Sequence, residues 1–510
     1  MKKSIPYIFT GLLALASCSE DFLNLSPDTS LSSATFFKTE AHFEQALTAA
    51  YERLRPIAYH GIFMDEMRSD NTFYTYYAGD RGPYLSTEVF ALFLDDETNT
   101  AHTAARYNED FNGVSRVNTI LSRIDGVEFS DDVKTRIKGE ALFLRAFYYY
   151  DLVQHYGGVP LQLAEITSEE GAFLPRSSAS EVYAQIITDL TAAIPALPVT
   201  ATFPQSGRAS KGAAKMLLAY AYMSKPEREY AKAEAELVDI TKMNYGLLDN
   251  YLDVFNPDNK NHKESIFEIQ YMEGDAGQQS DFIWRLIPKM DNTDDLLGVK
   301  ANNYAYTSGG WNVPTREMVD SYEDGDQRLN ASIAVAEGIQ TGDNFYFESL
   351  KNADGYTPTA GKTYYYFVRK YLWPPYSKEF NTDSNWPVFR YSDALLLLAE
   401  CLVEQNKAGQ ALPYLNQVRE RAGLDELAVA TRENIANERR HELAFENHRW
   451  TDLVRTGKAV EKMTAFGQTM KGLYGWILPT AFNVTEDRFI YPIPYRELQI
   501  NTNLEQNPGY

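Results

Sequence analysis

A hairpin of about 34 residues near the C-terminal end most constrains what this chain can fold into. Tyr391 to Gln405 (YSDALLLLAECLVEQ) is apolar on more than one face, which predicts a helix covered on both sides. Asn406 to Gly409 predicts the turn, and Gln410 to Ala422 runs back with Leu412, Leu415 and Val418 inward. Pro413 is expected in the first turn, where its missing N–H costs little. Gly423 supplies a left-handed cap. The length is the period of a tetratricopeptide unit, which cannot bury its apolar face alone, so partner hairpins are expected elsewhere.

A third helix is expected from a cap at Thr431 through Asn437 to Gly457 (NERRHELAFENHRWTDLVRTG). Ala436, Leu443 and Trp450 lie a heptad apart, and Glu438, Glu442 and Glu446 recur every fourth residue, so an acidic stripe runs beside an apolar one. Arg439, Arg449 and Arg455 are the expected partners. His441 with Glu442 suggests catalysis only superficially, because a zinc HExxH helix needs a second histidine where Phe445 stands. The helix reads as structural and ion-paired.

These segments also carry a resemblance. RYSDALLLLAECL, NQVRERAGL, NERRHELAFENHRWTDLVRTGKA and the ending RFIYPIPYRELQINTNLEQNPGY, in that order, resemble the C-terminal half of the SusD/RagB family. These are outer-membrane nutrient-binding lipoproteins of the Bacteroidetes. The resemblance implies a SusD-like fold, a glycan ligand held by aromatic and polar residues from the loops after the first helix and from the middle of the chain, and a SusC-like TonB-dependent transporter as partner. Some relatives serve protein-derived nutrients, so peptide is the alternative ligand.

The N-terminus agrees with that implication. Lys2 and Lys3 precede an apolar run from Ile5 to Ala16, too short to span a bilayer and right for a signal peptide. Leu15-Ala16-Ser17-Cys18 resembles a bacterial lipobox, which makes residues 1–17 a leader, Cys18 the lipidated first residue and 18–33 a tether. Ser19-Glu20-Asp21 resembles a surface-export signal. The remaining cysteine, Cys401, lies in an apolar helix and is expected to be a buried, inert thiol. A formal charge of −22 argues against nucleic acid and against adsorption on anionic lipid.

Residues 34–510 read as one mainly α, SusD-like domain of about four helical hairpins within 34–244 and 391–457. The helix expected from Ala34 to Arg55 is stopped by Pro56. Further helices are expected over Ala104 to Ile124, Asp131 to Tyr156, from a Ser180 cap to about Ile194, and over the Lys211 to Asn244 hairpin capped by Ser210. Gly207 to Gly212 has phosphate-loop spacing, but Ala213 stands where the lysine belongs, so it reads as a helix cap. Two insertions interrupt the pattern, Ile57 to Thr103 and the aromatic-rich 245–390, where Ser265 to Tyr271 and Tyr364 to Val368 predict short strands. Residues 458–510 are expected to be irregular.

Function is sought in the insertions. Aromatic residues make up 13% of the chain, with 35 tyrosines, and four of the six tryptophans (Trp284, Trp311, Trp373, Trp386) fall in the second insertion. Sugars present C–H groups on ring faces and hydroxyls at the rim, so a glycan site needs flat aromatics beside polar side chains. Trp284, Tyr304, Tyr306 and Trp311, with Gly309-Gly310, are the candidate platform; Asn71, Tyr74, Tyr77 and Arg81 are the candidate rim. The alternative is that these aromatics fill a satellite core. No catalytic residue is assigned: GxSxG, HExxH and EF-hand patterns are absent. Asp324-Gly325-Asp326 reads as a turn rather than an acid pair. No cofactor and no metal-ligand cluster is expected, although calcium held by loop carboxylates and carbonyls needs no short motif. A glycoside hydrolase is the rival reading from the enzyme class, and a repeat scaffold without a small ligand is the rival from the structural class.

Overall fold

The computed structural model describes residues 36–79, 81–98, 101–301, 309–342 and 344–510. The leader, the tether and Cys18 lie outside them. The described chain is predominantly helical, with seven short strands. Its helices pack successively in chain order: Thr103–Arg123 on Asp131–Tyr156, then Ala179–Ala196, Lys211–Ser224 and Tyr230–Thr241. Tyr230–Thr241 then packs directly on Tyr391–Glu404, so the helical array closes across the second insertion. The Tyr391–Glu404 helix is buried from Tyr391 to Leu402, as its all-round apolar pattern requires.

Local rules account for most boundaries. Ser210 Oγ accepts from the Ala213 N–H, so Gly207 to Gly212 does end in a helix cap. Gly423 takes φ 81° after the Ala408–Arg421 helix. Cys401 is buried, with Sγ 3.5 Å from the Met223 sulfur, and burial pushes its thiol pKa up.

Several expectations are corrected. The first helix is Glu40–Glu52, capped by Thr39, because Phe37 takes a left-handed backbone angle just before it. Pro56 does not end that run but sits in the first turn of the next helix, Leu54–Gly61, where no N–H is needed. The cap expected at Ser180 is Ser178, whose capping box with Glu181 satisfies the first turn of Ala179–Ala196. Pro413 lies inside Ala408–Arg421, since that helix starts two residues earlier than expected. The helix expected to run on to Gly457 breaks into Arg432–Glu442 and Arg449–Arg455, because Phe445 and Asn447 both take φ 66°. The tail expected to be irregular carries the Ala459–Leu473 helix, whose Ala459, Met463, Phe466 and Met470 bury one face.

Among the described residues, the insertions supply all the strands. β1 (Thr72–Phe73) lies in the first insertion. β2 (Ser265–Ile269), β3 (Val313–Pro314), β4 (Ile333–Thr341), β5 (Asn344–Asn352), β6 (Thr363–Val368) and β7 (Trp386–Arg390) lie in the second. β2 pairs antiparallel with β7, and β5-β4-β6 form an antiparallel sheet. β1 pairs antiparallel with β3, Thr72 opposite Pro314 and Phe73 opposite Val313, which ties the two insertions together.

Beneath them, the acidic stripe sits in the core. Glu442 binds Arg328, Arg390 and Arg421; Glu446 binds Lys370 and Arg390; Glu438 binds Arg328 and Arg419. The partners expected from within the stretch are engaged elsewhere: Arg439 with Asp393 and Asp452, Arg449 with Asp70, and Arg455 with Glu400 and Asp452. A buried charge needs a nearby counter-charge, and distant elements deliver it here.

Candidate functional site

The two insertions meet along β1 and β3. The Thr75 N–H donates to the Gly310 carbonyl at 2.8 Å, Thr72 Oγ1 to Asn312 Oδ1 at 2.8 Å, and Asn312 Nδ2 to the Ile62 carbonyl at 2.6 Å. Gly310 has φ 80°, and a Cβ there would press on Thr75 and the Tyr77 hydroxyl, so glycine is required for this approach. The chain upstream leaves the Leu54–Gly61 helix through a π-turn, Ile62–Glu66, entirely buried. Burial pushes the Glu66 carboxyl up to about 7, against hydrogen bonds from Asn71 and the Asn447 backbone.

The structure corrects the expected platform. Trp284 is 0% exposed and Trp311 3% exposed. The Trp311 ring lies among Phe63, Tyr74 and Tyr84 at centroid distances of 5.8, 6.1 and 5.9 Å, and the residue's backbone N–H donates to the Arg285 carbonyl. Trp284 packs against Phe380. Both therefore take the satellite-core alternative: each indole is enclosed by the other aromatics of the insertions and presents no face to solvent. Tyr74 is buried with them. Asn71, expected at a polar rim, is fully buried between Glu66 and Arg440 Nε, at 3.0 and 2.9 Å, and holds the insertion to the Arg432–Glu442 helix. Tyr304 and Tyr306 lie outside the described residues.

Two expected residues do reach the surface. Tyr77 is half-buried, with the Lys289 ammonium 5.2 Å from its ring. Arg81 is half-buried, donates to the Tyr77 carbonyl at 2.7 Å, pairs with Glu88 and lies 4.1 Å over the Tyr76 ring. Against Tyr76 stacks Trp476, at a centroid distance of 4.1 Å and an interplanar angle of 14°. Tyr474, 5.7 Å from Trp476 and 40% exposed, extends the cluster, and Phe73 and Tyr74 form its floor.

Sequence reasoning missed Trp476 and Tyr474. They lie beyond the Ala459–Leu473 helix in Gly472-Leu-Tyr-Gly-Trp476, and aromatics alternating with glycine were the available signal. The turn is held by Ile477, whose N–H reaches the Tyr474 carbonyl, and by the Phe482 N–H bond to Leu92. Arg81 and Trp476 cover the two faces of Tyr76, so these residues and Tyr474 make a cation-edged aromatic shelf built from two distant segments, on which Tyr474 and the outer part of Trp476 can pack on the C–H face of a ring while the guanidinium serves oxygens at its rim.

The residues that tempted a catalytic reading are otherwise committed. His441 stacks on Tyr322 at 4.4 Å with Nε2 3.0 Å from Ser321 Oγ, and burial among arginines holds its pKa well below the usual histidine value. Asp326 caps the Gln327–Ser332 helix and pairs with Arg328, with Gly325 at φ 86° making the turn expected there. Among the described residues no group of three or more His, Cys, Asp or Glu could hold a metal ion, and no helix is long and apolar enough to cross a membrane.

Comparison with solved structures defines the class. Surface glycan-binding protein A from Bacteroides fluxus superposes with a TM-score of 0.75 and 25% identity, over 93% of this chain and all of that one. A laminarin-binding SusD-like protein superposes with a TM-score of 0.72 and 26% identity at the same coverage. The fold is that of the SusD-like proteins. Residues 263–510 match the SusD family, residues 21–225 match the family described as starch-binding and associating with the outer membrane, and SusD-like protein P38 of Formosa agariphila is 29% identical over 99% of each chain. The chain belongs to the SusD/RagB family of the Bacteroidetes.

Proposed function

We propose that the protein captures a glycan at the outer membrane without cleaving it and passes it to a SusC-like TonB-dependent transporter, held in place by a lipid on Cys18. The observation that carries the glycan reading is the shelf: most large aromatics of the insertions are packed inside, whereas Tyr76, Tyr474 and Trp476 remain accessible beside Arg81. Its chemistry suits a polyhydroxylated ring, and relatives named as laminarin-binding and surface glycan-binding share the fold. The buried commitments of His441 and Glu442 support a binding role over a hydrolytic one.

A glycan array followed by calorimetry tests this. At least one neutral oligosaccharide should bind, and it should be recovered uncleaved. Trp476→Ala should weaken it by about 2 kcal/mol, or roughly thirtyfold, with little change in melting temperature. Binding indifferent to that change would reject the shelf, and hydrolysis products would reject the non-enzymatic reading.

A further inference from the structure

A second ligand surface lies along the Glu40–Glu52 helix. Two cavities of about 540 and 460 Å³ share Glu52 and Arg55 and so form one trough. The first is bounded by the helix, residues 206–208 and the end of β2; the second by Tyr59, Phe380 and residues 277–282.

Its lining has a definite chemistry. Gln45, Thr48, Ser206, Gln278 and Gln279 present amides and hydroxyls. Most of the charged groups neutralise one another: Arg208 pairs with Glu44 and Glu140, and Arg53 with Glu52 and Glu109, while Arg55 donates to the Gln270 carbonyl and Glu268 accepts from the Asn385 amide. Three lining side chains nevertheless keep a buried polar atom with no partner among the described residues: Arg53 Nε, Arg208 Nη2 and Gln279 Oε1. Buried donors and acceptors are costly to leave unpaired, and these two donors and one acceptor belong to side chains that line the same trough. At one end Tyr59 and Phe380 flank the Arg285 guanidinium, each ring 5.6 Å from it, giving half-buried aromatic surface.

We infer that this trough is a second binding site for a neutral oligosaccharide segment, separate from the Tyr76–Trp476 shelf. The proposal rests on the glycan reading of the shelf for its ligand class. Balanced charge disfavours an anionic or cationic ligand, and the mixed donors and acceptors match hydroxyls, which do both. An extended peptide added as a further strand would need free strand-edge groups. The carbonyls of Ser265 and Gln270, at and just beyond the ends of β2, already accept from Gln205 Nε2 and Arg55 Nε, both at 2.8 Å.

The test uses the full chain with neutral hexasaccharides of glucose, mannose and xylose, each measured by calorimetry against wild type, Gln279→Ala, Thr48→Arg and Trp476→Ala. Thr48 is exposed and its hydroxyl bonds only back to the Glu44 carbonyl, so Thr48→Arg fills the trough without touching the core. Gln279→Ala should weaken binding roughly fivefold, and Thr48→Arg at least as much, with melting temperatures unchanged. Loss in Trp476→Ala with wild-type binding in both trough variants would overturn the trough and leave the shelf standing. Loss in the trough variants alone would support the trough and reject the shelf. No binding by wild type to any hexasaccharide would reject the glycan class on which both depend. A peptide library retained by wild type and released by the trough variants would reassign the trough and overturn this inference.

Discussion

Trp476 and Trp311 show how one residue type takes opposite roles. Both are flanked by glycine and lie in non-helical chain, yet one is partly exposed on a stack and the other is 3% exposed. Trp311→Ala should therefore cost about 3–5 kcal/mol of folding stability. Scanning fluorimetry should show a clearly lowered melting temperature, the reverse of the pattern expected for Trp476→Ala. A Trp311→Ala protein as stable as wild type would contradict the packing described here. Composition and spacing could mark the aromatics but not sort them. Whether an indole faces solvent depends on which rings arrive from elsewhere in the chain, and Phe63, Tyr74 and Tyr84 come from more than 200 positions away. Arg81 and Tyr77 were legible as surface groups because tyrosine and arginine keep a polar tip in water. Asn71 was not, because its burial depends on Arg440.

At the scale of elements, the Arg432–Glu442 helix is a rod of charge in the core. Removing Glu442 leaves Arg328, Arg390 and Arg421 short of a counter-charge, so Glu442→Ala should destabilise by about 3–5 kcal/mol. A denaturant midpoint within error of wild type would refute this. The same helix contributes to acid sensitivity. Nearby arginines hold Glu442 well below its usual range despite burial, and Asp70 and Asp452 are lowered likewise. Their stabilisation is present above the unfolded carboxylate values of 4.5 and 3.8 and is lost as pH falls through the lower folded values. Burial lowers His60 to about 4 and His102 to about 3, and holds His441 well below 6.5, so their contribution is present above pH 6.5 and is lost below it as the unfolded imidazoles protonate. Glu66, raised to about 7, acts in the opposite sense between 4.5 and 7, and burial raises Glu88, Asp110 and Glu438 in the same direction. Histidines and raised carboxyls oppose one another above about pH 4.5, so the melting temperature should change little there and drop steeply below it, where the ion-paired carboxylates are lost. A profile flat to pH 3 would show that these shifts are absent.

At the scale of the whole molecule, the proposed anchor and transporter pairing make one prediction. Cys18→Ala should abolish incorporation of labelled fatty acid and release the protein from the membrane fraction, and only the lipidated wild type should bring down a β-barrel protein in mild detergent; label retained in the mutant would defeat the anchor. By itself the sequence determined the helical class, most helix positions, the left-handed cap at Gly423, the inert Cys401 and the strands at Ser265 and Tyr364, because these follow from periodicity and local backbone chemistry within a few residues. Only the tertiary structure decided which arginines neutralise Glu438, Glu442 and Glu446, that β1 pairs with β3, that Trp311 is core, and that Trp476 meets Tyr76 some 400 positions away. Each of these is a contact between side chains or strands far apart in sequence. Periodicity announces that a face needs a partner, but its identity depends on how the array closes across the insertions.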